Sequence, residues 1–276
     1  MRAIVTVAMK EIQDGLRNRW IIAATAVLAA LALALAFLGS APTGTVGASE
    51  MTVTVVSLAS LTIFFIPLIA LLLSFDAIVG ERERGSLLLL LSYPISRGQV
   101  LAGKFVGHIL ILAAATVMGY GAAGVAITFL GEGSDAEAWR SFGALIGSSV
   151  LLGGIFLAIG YLISIVVRER ATAAGLAVAT WLVFVLLYDL ALLGWLVADQ
   201  GKHLTAQTFQ IFLLLNPADV YRMFNLTGVP EVRQFSGMAG LADEAAFSPE
   251  MLLAVLALWL IVPLVAAAAL FGRKEL

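Results

Sequence analysis

Residues 51–75, MTVTVVSLASLTIFFIPLIALLLSF, carry no Asp, Glu, Lys or Arg, and the chain then turns into Asp76-Ala-Ile-Val-Gly80-Glu81-Arg82-Glu83-Arg84-Gly85. An uncharged run of that length can cross a bilayer as a helix, which takes roughly 20 apolar residues. The charges follow where such a helix would leave the hydrocarbon. Pro67 lies inside the run, and neighbouring helices can satisfy the carbonyl it releases.

Working outward, five more stretches read the same way. Residues 20–38, 142–167 and 251–271 are uncharged, the last with Pro263 inside it. Residues 105–130 hold His108, and residues 171–197 hold Asp189. The composition agrees: 61% of the 276 residues are apolar, 12% are charged, and the mean hydropathy is +1.03. A soluble domain carries about 25% charged residues. That excludes a water-soluble enzyme and a disordered chain, and a net charge of -2 gives no footprint for nucleic acid. With no cysteine there are no disulfides and no thiolate sites. The expected fold class is all-α, a polytopic membrane protein of six spans forming a single permease domain over 1–276.

The Lys and Arg residues orient it. Counting alternate sides puts 12 of the 16 with the two termini, the 76–104 loop and the turn at Arg168 and Arg170. The other 4 are Arg140, Lys202, Arg222 and Arg233. Both termini are therefore expected in the cytoplasm. Residues 20–38 could be confused with a cleaved leader, but the apolar run exceeds the usual 7–15 residues, and Glu11 and Asp14 precede it. No internal repeat is visible.

Between the spans lie three informative pieces. Residues 1–19 place Ile4, Val7, Ala8, Ile12 and Leu16 at helical spacing among polar residues, so an amphipathic interfacial helix is expected. In the loop 76–104, alternating charges precede Leu87–Leu91, a run far too short to span. Pro94 ends it, and Ser96 with Gln99 has capping-box spacing for the next helix. Lys104 falls at the expected interface level. The bland reading of this loop is a salt-bridged turn. The functional one is a docking element of Glu81, Arg82, Glu83, Arg84, Gly85, Pro94 and Arg97 for a cytosolic subunit. The outer loop, 198–250, reads as a short helix from Thr205 to Leu215, a break, and a restart at Asn216-Pro217-Ala218-Asp219. Such a pair can dip into the membrane if protein encloses the break. Asn216, Pro217, Asp219, Tyr221 and Arg222 are its candidate partner platform. Asn225-Leu-Thr227 matches a glycosylation acceptor by chance, and Ser248-Pro249-Glu250 starts the last span.

Catalytic residues are not expected. Gly80 and Gly85 have phosphate-loop spacing, but Ser86 stands where Lys is required. No nucleophile and base form a set. A metal site is not expected either: Met51, Met223, Met238 and Met251 are scattered, without the pairing copper(I) would favour. His108 reads as a hydrogen-bonded packing residue. Asp189 is the one acid deep in a span. Its alternatives are a substrate or proton role, or a structural bond to a backbone group or a tyrosine. Gly103/Gly107 and Gly143/Gly147 have small-residue helix-packing spacing, nearly expected by chance in a chain with 26 glycines.

The run from Gly80 through Leu91, Tyr93-Pro94-Ile95-Ser96-Arg97 and Gly103-Lys104 resembles the signature of ABC-2-type permeases, the six-span subunits of ATP-binding-cassette transporters. Four stretches look like its NosY-type branch, which supports nitrous oxide reductase maturation. They are Lys10-Glu11 with 14–20, Pro67–Leu73 with Asp76–Gly80, Gly103–His108, and Leu215–Arg222. The resemblance implies a bacterial inner-membrane location and pairing with a second copy of the chain. It implies a cytosolic ABC ATPase dimer of NosF type, binding ATP and Mg, docked on Glu81–Arg84 and the N-terminal helix. It also implies a periplasmic copper-handling protein of NosD type on the outer face, to which any copper is left. This chain would itself bind no cofactor. The cargo is left open between copper, a sulfur species and mechanical force alone. An ABC-2 exporter of a lipid, drug or other hydrophobic substrate, and a membrane scaffold without a transport cycle, are the competing readings.

Overall fold

The computed structural model describes residues 2–17, 19–38, 50–130, 136–199, 205–226 and 247–274. Every regular element among them is helical. In chain order these are α1 (Arg2–Arg17), α2 (Arg19–Leu38), α3 (Glu50–Ser74), α4 (Val79–Glu83), α5 (Ser86–Leu91), α6 (Arg97–Leu130), α7 (Ala136–Val166), α8 (Arg170–Leu182), α9 (Tyr188–Asp199), α10 (Ala206–Leu214), α11 (Pro217–Leu226) and α12 (Pro249–Arg273). A π-helical segment, Val183–Leu187, joins α8 to α9 without a break.

Among the described residues, five helices are long and apolar enough to cross a membrane: Thr54–Glu83, Arg97–Ala126, Trp139–Val166, Arg170–Asp199 and Pro249–Arg273. The first expected span, 20–38, is a 20-residue helix, α2. Its described apolar stretch, Thr25–Ala34, is shorter than a crossing. The spans centre on α3 and α7, which pack against each other, with α11 and α12 closing the core on one side. Leu58, Ile66, Leu152, Phe156 and Leu256 are fully buried there. At Pro67, which leaves the Ile63 carbonyl without its helical donor, the next carbonyl, Phe64, accepts from the Trp181 indole at 2.8 Å.

The 76–104 segment is not a loop throughout. It folds into α4 and α5, divided by Gly85 in a left-handed turn (φ 71°), and its last eight residues form the first turns of α6. Ser96 closes the capping box: its amide donates to Gln99 Oε1 at 3.0 Å and its Oγ accepts from the Gln99 amide at 3.2 Å. At 34 residues, α6 is about 51 Å long, well beyond a hydrocarbon core of about 30 Å. The surplus holds α1.

The N-terminal helix carries two apolar stripes. Val7, Ala8, Glu11 and Gly15 are buried against α6. Val5, Met9 and Leu16 are exposed, on a second stripe suited to lie against lipid. Leu16 thus departs from the single face read from spacing. Gly103 and Gly107 permit the α1–α6 approach. A Cβ at Gly103 would lie 2.7 Å from Val7 Cβ, and one at Gly107 2.7 Å from Glu11 Cβ. At Gly143 and Gly147 it would meet nothing within 4 Å.

Candidate coupling sites at the two ends of the bundle

Three charged side chains meet under α1. Lys104 Nζ of α6 donates to Glu11 Oε1 of α1 at 2.7 Å and to Glu81 Oε1 of α4 at 2.8 Å. Lys104 is 2% exposed and Glu81 7%, so the ions are held by geometry and not by solvent. His108, one turn along α6, faces Glu11 Oε2 at 3.4 Å. Its Nδ1 lies 2.7 Å from the Tyr161 hydroxyl of α7. In the tautomer with hydrogen on Nε2, the ring accepts from Tyr161 and points its own hydrogen at Glu11. Lys10, half exposed, closes the outside at 3.5 Å from both Glu11 and Glu81.

Burial acts to raise the Glu11 carboxyl. Hydrogen bonds from His108 and Lys104, with the Lys104 charge, outweigh it and hold the group well below the ordinary carboxylate range. The second Glu81 oxygen, Oε2, is buried with no donor among the described residues. The cluster therefore ties α1, α4 and α6 through ions that are expensive to separate, and α7 through the His108–Tyr161 hydrogen bond.

The expected docking set divides on this structure. Glu81 is turned inward onto buried Lys104, at 2.8 Å against 3.5 Å to half-exposed Lys10, and it does not lie on a docking face. Arg82 donates to the Val167 carbonyl. Exposed Glu83 accepts the Arg170 amide at 2.6 Å, which places a carboxylate at the N-terminus of α8. Arg170 also pairs with Asp76 at 2.9 Å. Arg84, Gly85 and Pro94 are exposed, as are Leu88, Leu89 and Tyr93. Half-buried Arg97 donates to the Phe271 and Lys274 carbonyls and so anchors the end of α12. An open cleft lined by Phe75, Glu83, Glu169, Arg170, Ala171 and Ala174 adjoins this surface.

At the other end of the bundle stands α11. Asn216 caps it: Oδ1 accepts from the Ala218 amide at 3.0 Å. The Asn216 Nδ2 donates to the Phe184 carbonyl in the π segment and to Asp219 Oδ2, both at 2.9 Å. Arg222 bridges two acids, Asp219 at 2.8 Å and Asp189 at 2.9 Å. Tyr188 donates to the Phe212 carbonyl at 2.6 Å, and Tyr221 shares a hydrogen bond with Ser149 at 2.9 Å.

This end corrects the expected platform. Asn216, Pro217, Asp219 and Tyr221 are buried, since a short apolar helix that cannot span must be enclosed by protein. Only Arg222 of that set is partly open. Among the described residues Asp189 bonds neither a backbone group nor a tyrosine; its partner is Arg222. Asn225 is likewise buried, its amide donating to the Tyr221 carbonyl at 2.9 Å. Residues 227–246, which include Arg233 and Met238, lie outside the described residues, as does His203. Met223 is a core residue, 3% exposed.

Glu11 and Tyr161 were not singled out from sequence as site residues. An acid inside an amphipathic stripe, between Ala8 and Gly15, was the available signal for Glu11. Tyr161 had none, because its partner lies 53 residues away.

The profile of the family described as ABC-2 family transporter protein matches residues 5–276. A Pseudomonas aeruginosa chain named "Probable ABC transporter permease protein NosY" is 48% identical over 277 residues, spanning 100% of both chains. A chain of the same name from Stutzerimonas stutzeri is 46% identical over 275 residues, spanning 99% of both.

Proposed function

The chain belongs to the ABC-2 transporter family, and we propose that it is the permease through which a separate cytosolic ATPase serves copper-site assembly in nitrous oxide reductase. The names of the two full-length relatives support the context. The observation that carries the coupling role is Lys104 held between Glu11 and Glu81.

Two copies of the permease pair, and an ATPase dimer of NosF type grips the exposed Arg84, Leu88, Leu89 and Tyr93. ATP binding favours one of two docked geometries, and it can shift the permease only by its differential affinity for them. A push on α4 and α5 has two routes onward. One passes through Glu81 and Lys104 to α6 and α1. The other passes through Arg82 to the Val167 carbonyl and through Glu83 to the start of α8. From α8 the same continuous helix reaches the π segment and α9, where Asn216 and Arg222 tie it to α11. Motion at the docking face is thereby delivered to the far end of the bundle, where a periplasmic partner of NosD type rests. The termini lie in the cytoplasm and the bilayer is the bacterial inner membrane.

Purification of the tagged chain from its native host, with identification of the bound subunits, tests this. The expected result is an ABC ATPase and a periplasmic copper-handling protein in one complex. A chain that purifies without an ATPase, or a deletion strain whose reductase keeps its full copper content, overturns it.

A further inference from the structure

Beyond that reading, we infer that Asp189 and Asp219 hold one proton between them, so that α9 and α11 meet at a proton-binding site. The geometry is that of two acids on one base. The Arg222 guanidinium spends Nη1 on Asp219 Oδ1 and Nη2 on Asp189 Oδ2. Among the described residues Arg222 is the one cation in an ion pair with either acid. If both acids are ionised, the group carries an uncompensated negative charge in a place with little water to screen it.

The hydrogen-bond inventory points to where the proton sits. Asp219 Oδ2 already accepts from Asn216. Asp189 Oδ1 is buried and has no partner among the described residues. The two carboxyl groups are brought together on one guanidinium, at 2.8 and 2.9 Å from its two terminal nitrogens. One proton held by the pair removes the surplus charge, and Asp189 Oδ1 is the oxygen that no donor yet occupies. Two carboxyl groups sharing a site take up a proton for the same reason in general.

The polar side chains named next, on α9 and on the elements packed against α11, have partners of their own. Tyr188 of α9 is committed to the Phe212 carbonyl of α10. From α12 comes the Trp259 indole, donating to the Leu214 carbonyl. From α7 come Ser148 and Ser149, which bond Asn225 and Tyr221. From α3 comes Thr62, bonded to Tyr120. Burial lifts the Asp219 carboxyl to about 7, with Arg222 opposing the rise and Asp189 adding to it. The Asp189 side chain is 24% exposed and that of Arg222 20%, which leaves an opening through which a proton can come and go.

The site lies 19 residues along the α8–α9 helix from Arg170, about 28 Å at 1.5 Å per residue. It therefore senses the compartment opposite the docking face. Protonated, the pair draws α9 to α11; deprotonated, two carboxylates repel across one guanidinium.

Infrared difference spectroscopy on the full chain in lipid nanodiscs tests this without any partner subunit, so the permease role stands or falls separately. Between about pH 5 and pH 9, a carboxylic-acid carbonyl band should appear on acidification with a midpoint near 7. Carbon-13-labelled aspartate should shift that band in the unaltered chain, and Asp219→Asn and Asp189→Asn should each abolish it. Glu250→Gln, at the exposed start of α12, should leave it in place. Absence of a titrating band, a band unmoved by labelled aspartate, or one that survives both Asp variants overturns the proposal.

Discussion

Lys104 and Glu11, 93 residues apart in the chain, meet at 2.7 Å beneath the N-terminal helix, both withdrawn from water. Removing one member of such a buried pair leaves an uncompensated charge, which costs about 3–5 kcal/mol. Lys104→Met should therefore lower stability by about that amount in thermal or denaturant unfolding of the solubilised chain. Neutralising Glu11 and Glu81 in the same protein should recover part of it. A Lys104→Met protein as stable as the parent would refute the lock.

The seat of α1 on α6 depends on two missing side chains. Gly107→Leu must displace Glu11 Cβ and the Ala8 carbonyl, 2.7 and 3.0 Å from where a Cβ would stand. Because the chain has no cysteine, Ala8→Cys supplies a clean probe at a position 5% exposed. Its thiol should be protected in the parent and react rapidly once Gly107→Leu is added. Gly143→Leu, facing open space, should leave it protected.

Reversing Glu83 and Arg84 together tests the docking surface. Glu83→Lys with Arg84→Glu should leave membrane insertion unchanged, since both side chains are exposed. It should separate ATP hydrolysis by the complex from reductase maturation, read as hydrolysis rate and as copper content. Normal maturation in the double variant would remove these residues from the coupling role.

Asn216→Ala removes a cap, a donor to the π segment and a donor to Asp219 at once. The cap alone is worth about 1 kcal/mol, with a range near 0.5–2. Amide exchange by mass spectrometry should quicken through Pro217–Leu226. Exchange unchanged there would show that α11 does not depend on the cap.

Acid should weaken the lock in a defined direction. Glu11 is held below its ordinary range in the folded chain. The unfolded chain therefore binds more protons as the pH falls through and below that range, and stability falls with it. Above about pH 4.5 this contribution is fully present. Glu11→Gln should flatten the dependence of Tm on pH below that value, and an unchanged slope would assign the acid sensitivity elsewhere.

The membrane class, the positions of the long helices and the capped starts at Ser96, Asn216 and Ser248 were legible in the sequence. Each depends on neighbours a few residues apart: uncharged runs of bilayer length, and a polar side chain two or three residues from the amide it caps. The exposed half of the docking surface was legible for the same reason, as a charged turn beside a short leucine run.

The direction in which individual side chains face was not legible. Glu81 and Glu83 are two residues apart, yet one is buried on Lys104 and the other caps α8. Local pattern cannot separate them, because the deciding cation and amide arrive from 23 and 87 residues away. The π segment has no sequence mark either, and the Asn216 amide that donates to its Phe184 carbonyl arrives from 32 residues away. Composition and periodicity by themselves determined that this chain lives in a bilayer as helices. Only packing decided which of its few charges meet, because a charge taken out of water must find its partner in space, whatever the distance along the chain.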